Sequence, residues 1–169
     1  MKPEFHKDVD AALERIAIHI RRTPVEFSHS MSNSSGCKVL LKLENLQITG
    51  SFKARGAVNK MSLLALENPE KIITASSGNH GSAVAYASKI LELDSLIFLP
   101  ETVSSAKLSK VKQFGAQVHI EGKDTGDSKQ AARAYALKHG YPYLSPYNDY
   151  DVIAGQGTIA AEVSQQVSG

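Results

Sequence analysis

The sequence predicts an α/β fold in which a parallel sheet carries helices on its flanks. Short apolar runs that are typical of buried strands alternate with helical patterns of about ten residues, which is the arrangement of β-α-β units. Proline or glycine ends several of these elements, as at Pro100, Gly115 and Gly140. Crossovers between parallel strands should then be right-handed, with a ligand site beyond the carboxyl ends of the strands.

The first part of the chain predicts two helices with a loop and a strand between them. An apolar face formed by Ala12, Leu13, Ile16 and Ile20 indicates the first helix, and Pro24 ends it. A stretch rich in serine and asparagine follows as a loop. The predicted elements are a helix over 9–21, a loop over 28–36, a strand over 38–43 and a helix over 54–66.

The rest of the chain alternates strands with helices. Gly155-Gln156-Gly157 is interpreted as a tight turn packed inside the first turns of the last helix, with close helix packing as the alternative. The predicted elements are strands over 71–75, 95–99, 116–120 and 141–144, and helices over 82–91, 104–114, 127–139 and 152–167.

Composition excludes several classes of protein. The chain has 169 residues, 42% of them hydrophobic and 21% charged, which is typical of a globular domain with a sizeable core. A net charge of +2 with dispersed lysines gives no support for nucleic-acid binding, and no apolar run is long enough to cross a membrane. The single Cys37 and the polar start of the sequence lead us to expect a cytoplasmic location.

Lys53 stands where a predicted loop turns into a helix. A cation is disfavoured at a helix N-terminus because the dipole there is positive. The position therefore favours the neutral amine, which is the form that attacks carbonyl carbons. The alternative is an ordinary surface lysine between the turn glycines Gly50 and Gly56.

A second candidate site is the loop Ser76-Ser77-Gly78-Asn79-His80-Gly81, which joins a predicted strand to a predicted helix. Such a loop binds anions through free backbone N–H groups. It has no lysine and no G-x-x-x-x-G-K pattern, so a carboxylate is a more natural ligand than a nucleotide phosphate. The alternative is a simple helix cap with turn glycines.

Several motifs stand in the order found in one enzyme family. They are Arg22-Thr23-Pro24, Ser51-Phe52-Lys53-x-Arg55-Gly56-Ala57, Ser76-Ser77-Gly78-Asn79-His80-Gly81 and Ile153-Ala154-Gly155-Gln156-Gly157-Thr158. Together they resemble the serine/threonine dehydratase and serine racemase family of pyridoxal-phosphate enzymes, the fold-type II group, whose fold is like that of the tryptophan synthase β subunit. Relatives that make cysteine or threonine often have threonine where His80 stands, so the likeness is to the dehydratase–racemase branch.

The resemblance implies a role for each motif residue. Lys53 would carry pyridoxal 5'-phosphate as a Schiff base and, once displaced by substrate, would remove the α-proton. Ser77 would return a proton on the opposite face during racemisation. Asn79 would bond the ring hydroxyl of the cofactor, and Phe52 would pack near the ring. The substrate carboxylate would lie on the loop residues Ser76, Ser77, Gly78, Asn79 and His80.

Structural roles are the alternative for some of these residues. His80 would then only cap its helix, and Phe52 would be a core residue. Arg55 is interpreted as structural, with Glu44 or loop carbonyls as partners. The other histidines lack metal-ligand spacing, and we predict no metal site.

The resemblance also predicts that the chain is the N-terminal half of a longer protein. In the family, the glycine-rich loop that holds the cofactor phosphate and a later serine or cysteine facing the pyridine nitrogen lie beyond the point where this sequence stops. We expect residues 1–69 to be the first part of a large domain, 70–147 a complete small domain, and 148–169 the return into the large domain. The isolated chain should then bind the cofactor weakly and be a poor enzyme.

Three functions are compatible with these observations. The leading interpretation is a lyase that eliminates water from serine, threonine or a related β-hydroxy amino acid, giving a 2-oxo acid and ammonia. A racemase that uses Lys53 and Ser77 is the second, and a non-catalytic binding module is the third. A small amino acid is the expected substrate, and the resemblance implies a homo-oligomer.

Overall fold

The computed structural model describes residues 4–167. Among them, no helix has both the length and the apolar character needed to cross a bilayer. Along the chain lie α1 (Phe5–Ile16), β1 (Val25–Phe27), α2 (His29–Ser35), β2 (Leu40–Lys42), a 3-10 turn (Glu44–Leu46), α3 (Lys53–Ala65), β3 (Ile72–Ala75), α4 (Asn79–Leu91), β4 (Ser95–Leu99), α5 (Ser105–Lys112), β5 (Gln117–Ile120), α6 (Thr125–His139) and α7 (Tyr150–Gln166).

The predicted parallel sheet with flanking helices is confirmed. Strands β3, β4 and β5 are adjacent in that order and run parallel. Neighbouring residues of β3 enter different apolar clusters, Ile72 with helices α3 and α4 and Ile73 with α6. Because side chains alternate between the faces of a strand, helices on both sides bury both faces of β3.

The predicted fourth strand over 141–144 is reduced to one parallel bridge. Ile73 pairs there with Tyr143. The Ile73 N–H donates to the Pro142 carbonyl at 2.9 Å, and the Leu144 N–H donates to the Ile73 carbonyl at 2.8 Å. Pro142 has no N–H to extend the ladder. The bridge still aligns this segment with β3. The residues after Leu144 therefore lie beside the loop that follows Ala75.

One prediction near the start of the chain is wrong. The serine-rich stretch 28–36 is helix α2, because the Ser28 side chain accepts a hydrogen bond from the Met31 N–H and Gly36 ends the helix with φ 69°. Strand β2 is not part of the parallel series. It pairs antiparallel with β1, which the sequence analysis did not predict, in a separate sheet.

Several helices begin earlier than predicted because the preceding residues cap them. The Asp124 side chain accepts from the N–H groups of Gly126 and Asp127 at the start of α6. Asp149 does the same for Asp151 and Val152 at the start of α7. Each carboxylate satisfies N–H groups that have no partner within the helix, and its charge also suits the positive end of the dipole.

The Gly155-Gln156-Gly157 segment is not a turn; it lies inside α7, where glycine allows close packing against α3. A Cβ on Gly155 would lie 2.7 Å from both the Arg55 carbonyl oxygen and the Gly56 Cα atom. A Cβ on Gly56 would lie 2.7 Å from the Val152 carbonyl oxygen. The two helices therefore meet backbone to backbone, which fixes α7 against the helix that Lys53 begins.

We predict that Gly155→Ala destabilises the protein by about 1–3 kcal/mol, because the added methyl group would meet backbone atoms that cannot rotate away. The matched control is Gly157→Ala in the same helix, where the three atoms nearest to the new Cβ all belong to the side chain of Val9 rather than to backbone. Urea unfolding followed by circular dichroism measures both free energies. Equal stability of the two variants would contradict the close packing of α3 on α7.

Candidate active site

Lys53 is the first residue of α3, as its place in the motif predicted. Its Nζ donates a hydrogen bond to the Pro146 carbonyl at 2.9 Å and lies 5.1 Å from the centre of the Phe52 ring. Burial lowers the pKa of Lys53 below the ordinary value for lysine. Burial thus shifts this amine towards its neutral, nucleophilic form.

The loop after β3 folds back tightly before α4 begins at Asn79. The Ser76 hydroxyl accepts a hydrogen bond from the Gly78 N–H at 3.2 Å. A Cβ on Gly81 would overlap the Ser76 carbonyl oxygen, so only glycine allows this return of the chain. The loop consequently presents the first N–H groups of α4, which is the arrangement that suits an anion.

His80 lies beneath the loop with only 4% of its surface exposed. Its Nε2 atom is 3.4 Å from the Leu144 carbonyl, while Nδ1 is buried and has no hydrogen-bond partner among the described residues. Burial is the main cause that lowers the pKa of His80 to about 4, and the positive charge of Lys53 adds to it. His80 is therefore neutral at physiological pH and belongs to the same site as Lys53.

A cleft of about 270 Å³ adjoins the loop. Ser77 lines it and is half-buried, and its hydroxyl makes no hydrogen bond within residues 4–167. The cleft is lined by Ala75, Ser76, Ser77, Gly78, Thr125, Lys129, Tyr143, Pro146 and Tyr147. It brings the Ser76–Gly78 loop and the residue that holds the Lys53 amine to one concave surface.

Asn79 and Phe52 are both exposed. The Asn79 side-chain oxygen accepts from Lys110 Nζ at 3.1 Å, which leaves the amide N–H groups available to a ligand. Phe52 is 39% exposed, so the alternative that it is a core residue is wrong. Its ring instead covers one side of the Lys53 ammonium group.

Arg55 stabilises the beginning of α3 through its side chain, which is fully buried. The guanidinium group donates to both carboxylate oxygens of Glu44 at 2.8 and 2.9 Å and to those of Glu162 at 2.7 and 2.9 Å. Burial alone would raise the pKa of Glu162, but hydrogen bonds from Arg55 and Lys42 outweigh it and lower that pKa. The structural interpretation of Arg55, including its pairing with Glu44, is confirmed.

The residues that lie across from Lys53 and His80 were not predicted from the sequence. The Pro146 carbonyl holds the amine of Lys53, and the Leu144 carbonyl faces His80. A signal was available, because a short apolar run ends at Leu144 and the proline turn after it follows the carboxyl end of a predicted parallel strand. Lys110, which donates to Asn79, lies on α5, and no local sequence pattern predicts this contact.

Comparison with known proteins connects this geometry to a family. The model of the family described as "Pyridoxal-phosphate dependent enzyme" matches residues 16–169. The catabolic L-threonine dehydratase TdcB of Staphylococcus aureus (strain USA300) is 43% identical over 162 residues, which are 95% of this chain and 47% of the relative. The chain spans about half the length of the curated relatives it matches.

Solved structures share the same fold. A pyridoxal 5'-phosphate-dependent aspartate racemase superposes with a TM-score of 0.88 at 41% identity, over 96% of this chain and 51% of its own. A threonine deaminase from T.th. superposes with a TM-score of 0.84 at 42% identity, over 95% of this chain and 51% of its own.

We predict that Lys53 titrates below Lys60, although both lie on α3. Burial lowers the pKa of Lys60 too, but hydrogen bonds from its Nζ to Asp151 at 2.8 Å and Asp149 at 3.2 Å outweigh it and raise that pKa. Reductive ¹³C-methylation followed by NMR titration measures each amine, with Lys53→Arg and Lys60→Arg to assign the signals. A Lys53 signal that titrates with or above Lys60 would contradict the burial of this amine.

Stability should fall in acid because of His80. A histidine whose pKa is depressed in the folded state gives full stability above its unfolded pKa of 6.5 and loses it as pH falls towards about 4. The loss would be roughly 3 kcal/mol. Urea unfolding from pH 7 to 4 should show a smaller decline for His80→Gln than for the wild type. His119→Gln, whose side chain is half exposed, is the control and should decline like the wild type.

Proposed function

The chain belongs to the family of pyridoxal-phosphate-dependent enzymes, and from this we propose that the full-length protein is an ammonia-lyase acting on serine- or threonine-like β-hydroxy amino acids. The products would be a 2-oxo acid and ammonia. The observation that carries the proposal is the partly buried amine of Lys53, which meets the Leu144–Pro146 segment beside His80. The similarity to the Staphylococcus aureus threonine dehydratase supports the choice of reaction.

The residues present fit the cofactor. Covalent attachment to an aldehyde needs a neutral amine, which the burial of Lys53 favours. The amide N–H groups of Asn79 remain free to donate to an oxygen on the cofactor ring, and Phe52 offers an apolar surface next to the amine. The buried Nδ1 of His80 has no hydrogen-bond partner among the described residues, and in the tautomer with the proton on this atom it would donate to a carboxylate bound at the loop.

Different side chains would perform different steps of the elimination. When bound, pyridoxal phosphate withdraws electrons from the α-carbon of an amino acid and makes its proton acidic. Lys53 Nζ would take that proton, and the Pro146 carbonyl would orient the amine. The substrate carboxylate would lie on Ser76, Ser77, Gly78, Asn79 and His80, where the first N–H groups of α4 would hold it.

Racemisation is a second candidate activity because the hydroxyl of Ser77 lies at the cleft and makes no hydrogen bond to any described residue. A hydroxyl across the α-carbon from Lys53 would return a proton to the other face of the substrate. The similarity to a solved aspartate racemase adds support. Elimination and racemisation would share Lys53 and differ in their need for Ser77.

We also propose a domain arrangement, a cellular location and an oligomeric state for the full-length protein. Residues 1–69, 70–147 and 148–169 would form the start of a large domain, a small domain and the return to the large one. We further propose a cytoplasmic location, which the free, exposed Cys37 supports. A homo-oligomer is proposed from the family resemblance.

The full-length protein supplied with pyridoxal phosphate should release ammonia and a 2-oxo acid from L-serine or L-threonine. Lys53→Ala should lose the visible absorbance of the bound cofactor and the activity by at least about 10²-fold, as expected for a general base. Lys60→Ala on the same helix is the control and should keep both. A wild-type protein that binds cofactor but turns over neither amino acid would favour the non-catalytic interpretation.

Ser77→Ala should separate the two activities. We expect racemisation to fall by about 10²–10⁴-fold, the usual contribution of an acid–base group, and elimination to fall much less. Ser164→Ala, an exposed serine on α7, serves as the control. Chiral chromatography measures racemisation and 2-oxo acid release measures elimination. An equal loss of both would assign Ser77 to carboxylate binding instead.

A further inference from the structure

The side chain of Asn79 can face a ligand in two ways. Its carboxamide has an oxygen that accepts and an amide that donates, and a half turn about its last bond exchanges the two. Asn79 is exposed at the start of α4, so packing does not select one orientation. In the proposed site it has to present its N–H groups to a ring oxygen of pyridoxal phosphate. A partner that fixes the carboxamide in the donating orientation would therefore favour cofactor binding.

Lys110 on α5 is such a partner. Its Nζ donates to the Asn79 side-chain oxygen at 3.1 Å. An ammonium group donates and cannot accept, so this hydrogen bond forms only when the carboxamide turns its oxygen towards α5. No other side chain within residues 4–167 forms a hydrogen bond with the Asn79 carboxamide. The amide N–H groups are consequently free to donate elsewhere.

Helix α5 packs against the first turns of α4 beside this contact. Val111, the neighbour of Lys110, is fully buried and belongs to the same apolar cluster as Val84 of α4. Its Cγ2 atom would lie 3.4 Å from a Cβ on Gly81, two residues after Asn79. Lys110 itself is half-buried. The hydrogen bond thus joins two packed helices, which restricts the freedom that a fully exposed lysine would have.

No carboxylate neutralises the charge of Lys110. Within residues 4–167 its ammonium group forms no ion pair, and Asn79 is its only hydrogen-bond partner. A cation that donates to the oxygen of an amide polarises the amide and strengthens its N–H donors. A stronger donor favours the ionised form of the oxygen that accepts from it. Lys110 would therefore act on the cofactor ring through Asn79.

We propose that Lys110 is a positioning residue that sets the Asn79 carboxamide to donate to the ring hydroxyl oxygen of pyridoxal phosphate. The inference rests on the proposed function and adds a residue of α5 to its cofactor site. Lys110 takes part in no bond-making step. It fixes the donor before the ligand binds and makes that donor stronger, so its contribution to cofactor affinity depends on one oxygen of the ring.

The cofactor affinity of the full-length protein tests the proposal. Lys110→Met should weaken binding of pyridoxal phosphate by about 3–10-fold, as expected for one hydrogen bond, and Lys110→Arg should stay within about twofold of the wild type. The analogue 3-deoxypyridoxal 5'-phosphate, which lacks the ring hydroxyl, should bind the wild type and Lys110→Met equally. Lys112→Met, which removes the same charge from the last turn of α5, is the control and should match the wild type with both ligands.

A double-mutant cycle tests whether Lys110 acts through Asn79. In an Asn79→Ala background, Lys110→Met should cause no further loss of affinity for pyridoxal phosphate. An additive loss would overturn the proposal, as would an equal loss of affinity for the 3-deoxy analogue in Lys110→Met. Either result would assign Lys110 to the packing of α5 on α4 instead.

Turnover of the same proteins separates this inference from the lyase proposal. A wild type that shows these differences in affinity but releases no ammonia from L-serine or L-threonine would refute the lyase and support the role of Lys110. An active lyase whose cofactor affinity is unchanged in Lys110→Met would refute that role alone. A wild type that does not bind the cofactor would refute both.

Discussion

The buried guanidinium of Arg55 is the contact on which the rest of the site depends. It joins Glu44, which precedes the lysine loop, to Glu162, which lies near the end of the chain. Removing one partner of a buried ion pair typically costs about 3–5 kcal/mol, because the remaining charge is left uncompensated. The position of Lys53 is therefore set by segments that are far apart in sequence and by an ion pair below the helix that it begins.

Helix packing and sheet topology also fix the position of Lys53. Gly155 lets α7 approach the backbone of α3, so Glu162 comes within reach of Arg55. On the other side, the bridge between Ile73 and Tyr143 carries the Leu144–Pro146 segment to the edge of the sheet where β3 ends. The amine of Lys53 thus lies between a rigid helix pair and the carboxyl edge of a parallel sheet, where burial favours its neutral form.

Local signals in the sequence predicted much of this arrangement. The start of α3 at Lys53, the loop after β3 and the parallel series β3–β5 all follow from patterns within a few residues. Helix α2 was missed because its serines suit a loop equally well until Ser28 and Gly36 act as caps. The Gly155 segment was misinterpreted because glycine indicates a turn unless the neighbouring helix is known.

Other features depend on partners that no local pattern shows. The pairing of β2 with β1, the carbonyls of Leu144 and Pro146 opposite Lys53, and the bond between Lys110 and Asn79 all join distant segments. The hydrogen bond between Lys129 and Tyr147 forms because α6 and the Pro146–Tyr147 turn lie side by side.

Reductive trapping tests whether this fold keeps Lys53 as the reactive amine. The full-length protein would be treated with pyridoxal phosphate and then borohydride, digested, and mapped by mass spectrometry. We expect one dominant label, on Lys53, with the other lysines of α3 and the cleft, Lys60 and Lys129, essentially unmodified. A dominant label on any other lysine, with Lys53 unmodified, would contradict it.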